Sequence, residues 1–324
     1  MHPGRAARQS GDVTSHQVLA SVFALVAAFL YATSNVLEQR KASDAPPETS
    51  MRLGLLWHLA RQPTWWIGIA SDVGGFAAQA LALLFGSLVF VQPMLVTSLL
   101  FSLVLGAALG LHRLSRRDLV AAGVLVASLA AFLAVASPTG DHSVRPIGSW
   151  AVPGIAVVGL VAACVMLARR TTGPLKAALL GAAAGATFGV SSTLMKSFAF
   201  LLDHEGVVGM LGHWEPYALG AVVAFGFLSV QSAFQAADLR AALPALEVAE
   251  PLVASVLGVV IMGEHLHAHG LGAKAAITAS VVVMTWAAIQ LAESAAHDRG
   301  DAAVTVSGPS SSPRDLRPGS TGLH

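Results

Sequence analysis

The chain has 324 residues, 55% of them hydrophobic and 11% charged, with a formal net charge of +1. A water-soluble domain draws on about 25% charged residues. This composition therefore excludes a soluble globular protein, and the near-neutral balance gives no reason to expect a nucleic-acid partner.

Nine apolar segments are long enough to cross the ~30 Å hydrocarbon core as helices. They lie near 18–37, 64–88, 90–110, 118–137, 149–168, 175–201, 216–239, 242–262 and 271–292. The first ends in Asn35, Glu38, Arg40 and Lys41, which reads as a stop-transfer flank rather than a cleaved signal. The stretch 50–62 is amphipathic and short, so it is expected at the interface, or as a tenth span. The segments 1–17 and 293–324 are polar and are expected to be disordered tails. Most Lys and Arg fall in loops after odd-numbered segments, including Arg113, Arg116, Arg117, Arg169, Arg170 and Lys176. The positive-inside rule then places the C-terminus in the cytoplasm of a multi-pass plasma (inner) membrane protein.

The chain also repeats itself. Pro63, Gly68, Gln79 and Pro93 recur as Pro216, Gly220, Gln231 and Pro244, 151 to 153 positions later. This defines two four-helix repeats, 18–137 and 175–292, joined by a linking helix in 138–174. Copies five helices apart face opposite ways, so the fold class is an all-α polytopic protein with inverted repeats. In that architecture the solute site lies near mid-membrane, between the copies.

Polar residues inside spans are expensive, ~2.5–3.5 kcal/mol for a charge at mid-bilayer, and belong against a cavity. Asp72 lies two turns inside the second span, and Glu247 and Glu250 share a face of the eighth. Pro244 and Pro251 are expected to bend that helix and free carbonyls for a ligand. Gln79 and Gln231 are symmetry mates, either solute-orienting amides or interhelical packing contacts. Lys196 can snorkel or neutralise an acid. Gly181, Gly185 and Gly189 form a small-residue stripe for close helix packing, which also permits a homodimer. Glu264, His265, His267 and His269 make an acidic-histidine cluster read as a solvated external loop, with transition-metal binding as the alternative. Cys164 reads as a packing residue. There is no Walker loop, Rossmann fingerprint or Gly-x-Ser-x-Gly, so neither an enzyme nor a cofactor is expected.

Trp65-Trp66-Ile67-Gly68, Gln79 to Pro93, and Glu250-Pro251 through Gly263-Glu264 resemble the drug/metabolite transporter (EamA-like) superfamily, closest to its NIPA-type magnesium-transporter branch. The resemblance spans about 18–292. It implies a Gly at Gly75, a Glu where Phe76 stands, an Asn at Gln79 and a Pro at Pro93. In the second copy Gln231 and Pro244 fill the Asn and Pro positions. Phe76 removes a hard oxygen ligand; Asp72, one turn earlier, is the available substitute.

The expectation is a secondary transporter of a small solute or divalent cation, with Mg²⁺ as a candidate. Asp72, Gln79, Gln231, Glu247 and Glu250 line the site, and Asp72 and Glu250 hold the metal or the coupling proton. The alternative is a non-transporting membrane scaffold or regulator.

Overall fold

A computed structural model describes residues 3–85, 91, 94–136, 138 and 139, 147–261, 265 and 266, and 271–306. In chain order the helices are α1 (Pro3–Ala42), α2 (Leu53–Ala60), α3 (Pro63–Phe85), α4 (Ser98–Ala108), α5 (Arg116–Ala136), α6 (Ile147–Ala168), α7 (Gly173–Met210), α8 (Glu215–Ala236), α9 (Leu239–Val260) and α10 (Leu271–Val306). Each predicted span carries a helix. Among the described residues seven are long and apolar enough to cross a membrane.

Several boundaries differ from the sequence reading, because backbone hydrogen bonding outruns the apolar stripe. α1 begins at Pro3 and α10 continues to Val306, so parts of both expected tails are helical. α1 also runs on to Ala42, which places Glu38 inside a helix rather than in a flanking loop. α9 is a continuous helix although Pro244 and Pro251 lie within it. Proline supplies no N–H, so Pro251 leaves the Glu247 carbonyl without its helical donor. α7 turns at Gly206, whose φ of 69° is a left-handed conformation open to glycine.

α1 packs against α3 and α4, while α7 packs against α8 and α9. α5 and α10 pack against each other. One end of the bundle gathers the segment 43–52, the α4–α5 turn, the α8–α9 turn and Ser294 of α10. At the other end Pro138–Thr139 (β1) pairs antiparallel with His265–Leu266 (β2), and Trp150 meets Trp214 edge to face at 5.7 Å. α2 buries Leu55 and Leu59 and turns Leu53 and Trp57 outward, with Arg61 over the Trp57 ring at 5.0 Å. An apolar-and-basic outer face of this kind suits the headgroup level.

Gly181, Gly185 and Gly189 run along the line where α7 meets α9. A Cβ on Gly181 would collide with the Ala242 carbonyl, and one on Gly185 with the Leu246 carbonyl; one on Gly189 would lie 2.7 Å from the Glu250 oxygen. Those obstacles are backbone and cannot swing aside. Gly185→Ala should therefore force the helices apart and cost about 3 kcal/mol, the upper range for overpacking. Gly154→Ala, with nothing within 4 Å, should be neutral or slightly stabilising. Thermal unfolding of the two purified variants in one detergent measures the contrast.

Candidate functional site

The interior polar groups collect around α1. Tyr31, Ser34, Asn35 and Glu38 recur at helical spacing and so share one face. On α3, Gly68, Asp72, Gly75 and Gln79 make the matching stripe. The two stripes approach closely because the glycines leave room. A Cβ on Gly75 would lie 2.9 Å from the Tyr31 ring, and one on Gly68 3.0 Å from Glu38 Cγ. Tyr31 donates its hydroxyl to Gln79 Oε1 at 2.6 Å, and Asn35 Nδ2 donates to Ser102 of α4 at 3.3 Å.

Glu38 is the centre of this cluster. It is 4% exposed. Ser34 donates to its Oε1 at 3.0 Å, and Gln231 of α8 donates from Nε2 to its Oε2 at 2.5 Å. Gln231 is fully buried, and its Oε1 has no partner among the described residues. Asp72 acts electrostatically on both Glu38 and Tyr31. Asp72 is an exposed residue, although its carboxyl has protein atoms on most sides. Among the described residues no Lys or Arg pairs with Glu38 or Asp72.

A second acidic group lies on α9. Glu247 and Glu250 repel one another, and Ser192 of α7 hydrogen-bonds Glu250. Both residues are half-buried, and their carboxyls lie deep in the bundle.

The structure thus divides the residues expected from sequence. Gln79 and Gln231 both reach α1, through Tyr31 and Glu38 respectively. Asp72 acts on Glu38, and Glu250 acts on Glu247, so each of the two residues expected to take a cation or the coupling proton has an acidic neighbour. Among the described residues no three His, Cys, Asp or Glu side chains stand close enough to hold a metal ion. Phe76, at the position where the resembled family has glutamate, is 66% exposed and adds no oxygen to the cluster. Pro93, Glu264, His267, His269 and the side chains of Lys196 and His265 lie outside the described residues. Glu38, Tyr31, Asn35 and Ser192 were missed. The available signal was the Tyr31–Glu38 spacing, which puts a phenol and a carboxyl on one helix face.

Where the loops meet at the basic end, a buried ionic knot ties three elements together. Arg240 donates to Asp118 at 3.4 Å, to Asp238 at 3.1 Å and to Ser294 at 3.5 Å. Asp118 and Ser115 cap α5 reciprocally, and Asp238 caps α9 through the Arg240 N–H. His112 Nε2–H donates to the Leu103 carbonyl at 3.1 Å, while Nδ1 is buried with no partner among the described residues. Burial holds the His112 pKa below its ordinary 6.5; the Asp238 charge opposes that and Arg240 reinforces it. A depressed histidine pKa means the unfolded chain takes up the proton first as pH falls. The neutral-His112 contribution to stability is therefore whole above about 6.5 and drains away as pH drops toward the folded-state value. His112→Gln should flatten this acid-side slope in a melting series from pH 8 to 5.

Long apolar helices around buried amides and carboxyls define the class: a polytopic all-helical membrane protein with a polar interior. An uncharacterised protein of Corynebacterium glutamicum is 32% identical over 247 residues, covering 76% of this chain and 86% of that protein, and the chain belongs to its family. No family model matches the sequence, and no solved structure matches the fold.

Proposed function

We propose that this protein is a secondary transporter that moves a small cation, or a cationic solute, by alternating access between two inverted repeats. The observation that carries the reading is Glu38. It is a nearly buried carboxyl, without a cation partner among the described residues, where α1 of the first unit meets α8 of the second. An isolated carboxylate in a low-dielectric interior must take up a proton or a counter-ion. Asp72 and the Gln231 amide beside it, with the Tyr31 and Gln79 oxygens further along α1 and α3, present mainly oxygen, which suits a hard cation. Mg²⁺ remains the candidate named by the family resemblance, since it keeps most of its waters and needs one or two carboxylates. The loops after the first, third and seventh segments meet at one end, and those after the fourth and eighth pair at the other. That supports nine alternating crossings, with the Arg-rich end cytoplasmic in the plasma membrane.

The test is uptake of Mg²⁺, monovalent cations and small metabolites by proteoliposomes. Asp72→Asn and Glu250→Gln each remove one charge and should each reduce flux of the transported species roughly 10- to 100-fold, as for loss of a charged contact worth about 1.5–3 kcal/mol. Undiminished flux in both variants rejects the site. The Tyr31–Gln79 bond equally suits a scaffold in which the amides only pack helices. That reading requires no flux of any tested solute and tolerance of Glu250→Leu.

A further inference from the structure

A separate feature lies on the outer face of the bundle. α6 packs chiefly on α7, which leaves a gap over α7 between α6 and α8. The gap is a groove of about 530 Å³. Val157, Val161, Val190, Val222 and Phe225 wall it, and small residues such as Gly154 and Ala221 leave it deep. Nothing lies within 4 Å of a Cβ placed on Gly154, so the space is unfilled by protein. α6 has 22 residues, about 33 Å at 1.5 Å each, so the groove follows a wall as tall as the hydrocarbon layer.

One end of the groove is charged. Arg169 lines it directly, and Arg170 and Lys176 follow within the next turn and helix start. None of the three forms an ion pair among the described residues. No Asp or Glu occurs anywhere in 142–202, so the cluster has no acid of its own segment to answer it. The first turn of α7 starts at the same place. Its N-cap, Thr172, makes no side-chain capping bond, which leaves N–H donors for an anion. A hydrocarbon-sized trough in the membrane with unpaired cations and open N–H groups at its headgroup end matches one kind of molecule. We propose that this groove is a binding site for an anionic phospholipid of the cytoplasmic leaflet. Its phosphate sits among Arg169, Arg170, Lys176 and the α7 N-terminus, and one acyl chain lies along α6 toward Trp150. Basic pockets between membrane helices recognise anionic headgroups in this way. The site is independent of the transport reading.

The full chain, purified in mild detergent, is titrated with phosphatidylglycerol and with phosphatidylcholine of the same chains. Native mass spectrometry reads bound lipid, and thermal unfolding reads stabilisation. The wild type should retain phosphatidylglycerol in preference to phosphatidylcholine. Arg169→Gln with Arg170→Gln should lose about fivefold in phosphatidylglycerol affinity per cation removed, the equivalent of ~1 kcal/mol each, while phosphatidylcholine binding is unchanged. Gly154→Leu, which fills open space and should fold normally, should weaken both lipids. Equal binding of the two lipids by the wild type overturns the proposal. So does phosphatidylglycerol binding that survives both sets of substitutions, or a dimer that occupies the groove in place of lipid.

Discussion

Glu38→Gln should lower transport by about two orders of magnitude and at the same time raise the melting temperature by a few degrees. The two effects have one origin. A carboxyl 4% exposed, held by a serine hydroxyl and an amide, has given up its hydration without gaining a counter-charge among the described residues. Burying an uncompensated charge costs several kcal/mol, or forces proton uptake. Glutamine keeps the shape. Its oxygen still accepts from Gln231, and its amide can donate to the Ser34 hydroxyl. Removing the charge should therefore stabilise by about 1–2 kcal/mol, with ~2–4 °C per kcal/mol for a chain this large. The same change removes the group proposed to attract a cation or carry a proton, a trade between activity and stability common at functional sites. Gln231→Leu is the informative contrast. It leaves the Glu38 Oε2 without its donor and should destabilise, whereas the double variant should recover most of the loss. The checks are flux in proteoliposomes and melting in detergent. A Glu38→Gln protein that transports normally, or melts several degrees lower, contradicts this account of the site.

Arg240→Leu should be the most destabilising single change in the molecule, about 3–5 kcal/mol at pH 8, because it strands two buried acids rather than one side chain. Asp118 is 2% exposed and Arg240 1%, while Asp238 is buried less completely, at 9%. An exposed ion pair would contribute under 1 kcal/mol, so burial decides the size of the effect. The positive ends of α5 and α9 moderate the loss, since both acids cap helix N-termini. The loss should also depend on pH. Arg240 holds the neighbouring His112 pKa down, while Asp118 and Asp238 pull it up. Without the guanidinium, His112 protonates more readily and replaces part of the missing charge. The gap between variant and wild type should then narrow as pH falls from 8 toward 5.5. Neutralising the whole knot, with Asp118→Asn and Asp238→Asn added to Arg240→Leu, should restore much of the stability. Melting of the three proteins at two pH values tests both statements. A pH-independent deficit would remove His112 from the explanation.

Much of the architecture was legible because the bilayer constrains it so strongly. A segment of ~20 apolar residues has few alternatives to a helix in lipid, and every predicted span carries one. The glycine stripe at 181, 185 and 189 could be read in the same way, since small residues at every fourth position permit close backbone approach. Its partner could not be read. That it faces α9, beside the backbone of Glu250, depends on a neighbour about 60 residues further along the chain. The prolines of α9 show a related limit: each removes a backbone donor, yet one helix runs from Leu239 to Val260, packed against α7.

Glu38 marks the limit most clearly. At the end of an apolar run, beside Arg40 and Lys41, it carries every sequence sign of a solvated flank. Only the extension of α1 by another turn, and the arrival of Gln231 from 193 residues away, make it a buried interior acid. The amino-acid sequence alone determined that this chain occupies a membrane, where its helices lie and which of their residues are too polar for lipid. Those properties follow from hydropathy and from periods of a few residues. Tertiary structure decided which polar residues come together, that Asp72 stands beside Glu38, and that Arg240 ties the basic end together. Contact between helices distant in sequence is set by the packing of whole faces, and no local pattern encodes it.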